Sequence, residues 1–187
     1  MDWSVAENAL RIWVRTASGY PDGRIIWAEQ GGARPVGDLI TLRLGAIAPV
    51  GMLDEVVSET DLGRPAGEEI EQRVEGIREF SVTLQAYVDA ATGVNTGRAV
   101  LSRCATALAL PSVRAALEVA GISPFEIGPV QNVTLLNRTE FEGRALLEVR
   151  FYARETFSEF CGYIATVETL SYLGPPDLGT SAAIDIP

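Results

Sequence analysis

The segment Glu71 to Asp89 constrains this chain more than any other. Phe80, Val82, Leu84, Ala86 and Val88 alternate there with Glu79, Ser81, Thr83, Gln85 and Tyr87. A repeat of two sends successive side chains to opposite faces, so the segment reads as a strand with one apolar face to bury. It is longer than one small core can use. The strand is therefore expected to project beyond the core or to bend near Gly76.

Helices can supply the covering layer. Ser4-Val5-Ala6-Glu7 has capping-box spacing, and Ala6, Ala9, Leu10, Trp13 and Val14 then recur at helical intervals. Turn chemistry over Gly19 to Gly23 ends that helix. Val100, Leu101, Cys104, Ala105 and Leu108 form a second apolar stripe behind a cap at Asn95. A third helix over Ser112 to Ala120 buries Val113, Ala116 and Leu117 and stops at Gly121, with Pro124 beyond.

Further strands are expected over Arg24 to Glu29, Asp38 to Ile47, Leu53 to Glu59, Val130 to Leu136, Arg144 to Tyr152 and Cys161 to Leu173. Leu53 to Glu59 reads as a hairpin arm closed by the turn-rich Asp61 to Gly67. This order predicts an α+β fold: one domain over residues 1–173, with an antiparallel or mixed sheet and helices packed on one face. Gly174-Pro175-Pro176-Asp177 then breaks the pattern, and residues 174–187 read as a tail, mobile alone or added to a partner's sheet edge.

The basic residues narrow the chemistry. All 15 are arginine, and the chain contains neither lysine nor histidine. That excludes Ser-His-Asp and Cys-His catalysis, His-ligated zinc, Schiff-base lysines and lysine-bearing phosphate loops. Cys104 and Cys161 have no Cys-x-x-Cys neighbour and read as small buried hydrophobes, which favours a reducing compartment. The N-terminus lacks the basic and apolar regions of a signal peptide. The longest uncharged apolar run, Leu44 to Leu53, has ten residues broken by Gly45, Pro49 and Gly51, too short to span a membrane. It either tucks under the helices or docks on a neighbouring subunit. The expectation is a soluble, intracellular protein. A net charge of −10 without a basic patch argues against binding nucleic acid by phosphate neutralisation.

Glu68, Glu69, Glu71, Glu75 and Glu79 form the densest acidic stretch. Two readings are open: a divalent-metal or acid/base site, as in a small carboxylate-dependent hydrolase, or a solvated strand face with Arg73 and Arg78 as cross-strand partners. The residues favour the second. Trp13 and Trp27 likewise read as core side chains, with interface anchors as the alternative.

Several segments together carry a family likeness. They are Ile25-Ile26-Trp27-Ala28-Glu29-Gln30 with Arg34-Pro35, Leu39-Ile40-Thr41-Leu42-Arg43-Leu44, and Arg78 through Tyr87. Glu142 through Val149 and Tyr163 through Glu168 complete the set. Over most of residues 5–172 the chain resembles the neck or tail terminator proteins of long-tailed bacteriophages.

The resemblance implies a structural protein without catalytic residues, cofactor or metal. It would form a homohexameric ring that caps the tail tube, stops its growth and meets the head-side connector or stopper protein. The setting would be the tail–neck junction of the virion, with assembly in the host cytoplasm. Six copies at −10 each would bring about −60 to one ring, a field that lets genomic DNA pass through the channel without specific binding. The long strand, the Leu53 to Gly67 hairpin and the tail are expected to carry subunit or partner contacts, with Arg64, Glu71, Glu75 and Arg78 as interface residues. A tail-tube or head-completion protein of the same particle is the alternative.

Overall fold

A computed structural model describes residues 2–29, 31, 35–51, 54–61, 63–65, 67–88, 96–133, 135–137, 140–162, 166–171 and 180–185. The element order is α1 (Trp3–Ser18), a 3-10 turn (Asp22–Arg24), β1 (Ile25–Trp27), β2 (Leu39–Pro49), β3 (Glu55–Thr60) and β4 (Ile70–Val88). Then come α2 (Thr96–Ala107), α3 (Pro111–Val119), β5 (Ile122–Ile127), β6 (Gln131–Asn132) and β7 (Leu135–Asn137). The chain continues with β8 (Glu140–Cys161), β9 (Thr166–Ser171) and β10 (Thr180–Asp185). The fold is α+β with a mixed sheet. Along its path β1-β2-β4-β8-β5, β1 and β2 are parallel and the pairings of β2 with β4 and of β5 with β8 are antiparallel.

The chain divides into two compact units, residues 1–54 with 76–156, and residues 55–75 with 157–187. Within the first, the period-two alternation works as expected. Phe80, Val82, Leu84 and Ala86 of β4 bury with Ala145, Leu147, Val149, Phe151 and Ala153 of β8 in one cluster. Residues of opposite parity, Glu148, Arg150, Tyr152 and Arg154, are exposed. Helices supply the other half of that cluster: Ala6, Leu10, Trp13 and Val14 of α1, Val100, Leu101 and Cys104 of α2, Val113 and Leu117 of α3. They therefore pack on one face. Gly97 lets α2 approach closely, since a Cβ there would stand 3.3 Å from Val88 and 3.5 Å from Ala145.

Trp13 is a core residue whose indole N–H donates to the Cys104 carbonyl at 3.1 Å. Its ring meets Phe151 edge-on, and Phe151 stacks on Phe80. Trp27 is half-buried against the same cluster. Cys104 is buried, and burial pushes its thiol up to about 12.

Several local expectations change. Helix α1 begins at Trp3, because Asp2 rather than Ser4 is its cap: the Asp2 carboxylate accepts the Ser4 N–H at 2.9 Å. The cap expected at Asn95 lies outside the described residues. Gly121 does stop α3, but the chain goes directly into β5, with Pro124 inside it. A proline fits there because β5 ends the path of the sheet. Cys161 closes β8 instead of opening a new strand. In the second unit, the aperiodic residues 180–185 form β10, whose backbone pairs antiparallel with β9 from Thr180–Ser171 to Asp185–Thr166. Residues 174–179 lie outside the described residues.

Candidate interface

The four singled-out residues fall into two clusters, one in each unit. Arg64, Glu71 and Glu75 belong to the hairpin of β3 and β4 in the second unit. Its antiparallel register places Val57 across from Arg73, with Glu55 opposite Glu75 and Glu59 opposite Glu71. Directly opposed like charges destabilise a ladder. Arginines offset this: Arg73 lies 3.2 Å from Glu71 and 3.8 Å from Glu75, and Arg64 reaches Glu71 at 3.2 Å and Asp61 at 3.6 Å. Hydrogen bonds from Arg73 and then Arg64 hold the Glu71 carboxyl below the usual carboxylate range. The Arg64 guanidinium also sits 4.8 Å above the Phe160 ring. Glu71 and Glu75 thus lie on an ion-paired strand face, whereas Glu68 and Glu69 precede β4 and have no ion pair among the described residues. Among the described residues, no three Asp, Glu or Cys side chains gather where they could hold a metal ion.

Arg78 makes a separate cluster in the first unit. Its two terminal nitrogens grip Asp54 at 2.7 and 2.6 Å, and its Nε donates to Glu155 at 2.7 Å. A paired-donor fork on a carboxylate is the strongest geometry arginine offers. These bonds lower the Asp54 carboxyl and raise the Arg78 guanidinium from their ordinary values. Gly76 has no side chain because a Cβ there would run into the Asp54 carboxylate and the Arg78 guanidinium. Gly76 thus makes room for this grip. Asp54 and Glu155 carry no local signal in the sequence that marks them as its partners: they lie 24 and 77 positions from Arg78.

Three exposed strand stretches stand out among the described residues. From Ala46 onward β2 is exposed, so the uncharged run is not tucked under the helices. All six residues of β3 are exposed. So are residues 156–160 of β8, including Phe157 and Phe160. No single described helix is long and apolar enough to cross a membrane.

Exposed strands with apolar side chains are surfaces that another chain can cover. No curated protein matches the chain. The model of the phage neck terminator proteins matches residues 6–175, from the first turn of α1 to beyond β9, and the chain belongs to that family.

Proposed function

We propose that this protein forms a closed homohexameric ring that ends the phage tail tube and joins it to the head-side connector at the neck. Membership of the neck terminator family over residues 6–175 carries this reading. A tube end offers a rotationally symmetric rim, and a cyclic ring of identical chains is the assembly that matches it. The ring would form in the host cytoplasm and remain in the virion, with genomic DNA sliding through its channel. The chain's net charge of −10 supports passage without binding, because a negative wall repels phosphates. The reading assigns no catalytic residue and no cofactor. A tail-tube or head-completion role is the neighbouring alternative, and tube subunits stack without limit.

Native mass spectrometry with and without purified tail tubes tests this. A closed species of about 120 kDa, six chains of 20.1 kDa, or rings confined to tube ends, is the expected result. Filament growth would favour the tube role. A monomer indifferent to tubes would remove the terminator function.

A further inference from the structure

Two strand edges stop being used partway along their strands. On the side of β2 away from β4, β1 occupies Ile40 to Leu42, and the last bond runs from the Ala28 N–H to the Leu42 carbonyl at 2.7 Å. From Arg43 to Pro49 no described strand pairs there. On the side of β8 away from β4, β5 occupies Val149 to Ala153, and Arg154 N–H then donates to Gly121. No described strand pairs on that side from Glu155 to Cys161. Unpaired N–H and C=O groups along an exposed apolar strand are a template for another strand.

We infer that these two edges pair with each other between neighbouring copies, the Arg43–Ile47 edge of one chain receiving the Glu155–Glu159 edge of the next. The inference rests on the ring reading and says which surfaces close the ring. Charge selects the second copy and the match. Chains of net charge −10 repel, and Leu44 to Val50 is an uncharged stretch where they can approach. At its end stands Arg43, exposed and held among the described residues by Glu29 at 3.7 Å, which is itself exposed. Such a surface pair is worth little and can be exchanged. Glu159 is exposed and has no ion pair among the described residues. Pairing β8 with β3 instead would add Glu159 to Glu55 and Glu59, which already oppose two glutamates.

Shape agrees with charge. An antiparallel pairing that sets Arg43 across from Glu159 ends there, because β1 holds Leu42, and leaves Phe160 beside the end of β1. A cleft of about 210 Å³ opens there, lined by Glu7, Trp27, Leu42, Arg43 and Leu44. It has room for a phenyl ring, and Phe160 is 51% exposed in the single chain. Ile47, 48% exposed, would be covered along the same seam. The contact joins two different patches, the heterologous kind from which rings close.

Arg43→Glu and Glu159→Arg test the pairing. Each places like charges at every seam, so each variant alone is expected to need about tenfold more protein to close the ring, or not to close it. Thermal unfolding of either single chain should remain that of the wild type. An equimolar mixture should close as readily as wild type, because in an alternating ring every seam again joins opposite charges. Variants that each assemble like wild type, or a mixture that does not recover, overturn the edge pairing while a wild-type ring still stands. A wild type that forms no ring, even at tube ends, overturns the ring reading and this inference with it.

Discussion

Arg78, one of the residues expected at an interface, holds carboxylates of its own chain. Among the described residues its side chain bonds to Asp54 and Glu155 of the same unit. The consequence is a pH dependence with a definite sign. Asp54 has a lower carboxyl pKa folded than unfolded, chiefly through the Arg78 hydrogen bonds. Its stabilisation is therefore fully present above the unfolded value of about pH 4 and disappears as pH falls through the folded value. Asp54→Asn should lower the melting temperature near neutral pH, and the gap to wild type should close as the solution is acidified through that range. A gap that stays constant with pH would show that the carboxylate charge contributes nothing. Glu71, held low by Arg73 and Arg64, acts with the same sign.

At the scale of elements, β4 carries two kinds of strand on one run of backbone. From Phe80 onward its even-numbered side chains are buried to the last few per cent, whereas β3, paired with its first residues, is exposed throughout. Truncation should separate the two. Leu84→Ala removes a fully buried side chain and is expected to cost about 2–5 kcal/mol of unfolding free energy. Val57→Ala, at an exposed position of β3, should stay within about 0.5 kcal/mol. Denaturant titrations of the two variants decide it. Equal losses would mean that β3 is buried in the protein as it exists in solution, which an assembled ring would also produce. Running the titrations below the assembly concentration removes that route.

For the whole molecule, net charge sets the terms of association. With 25 acidic and 15 basic side chains, copies approach one another against repulsion. Screening falls to a length of about 8 Å at physiological ionic strength and lengthens to about 30 Å in dilute buffer. Ring closure should therefore strengthen as salt is raised from dilute buffer towards physiological levels, measured as the ring fraction by native mass spectrometry or sedimentation. Weakening over that range would mean that attractive charge pairs outweigh the net repulsion.

Much of this protein is written locally in its sequence. The alternation in β4 and β8, the helical stripes of α1, α2 and α3, and the turn at Gly19 are short-range patterns, and each becomes the element it predicts, because which face of a strand or helix is apolar depends only on neighbouring residues. The absence of lysine and histidine fixes, before any folding, which chemistries the chain cannot perform. Tertiary structure alone decided the rest. The grip of Arg78 on Asp54 and Glu155 depends on residues brought to it from distant parts of the sequence. Whether the run after Leu44 is buried or left as an open edge depends on where β1 stops pairing along β2. A strand's period says which side chains share a face. Only the assembled sheet says which of its hydrogen-bonding edges remain free to bind another chain.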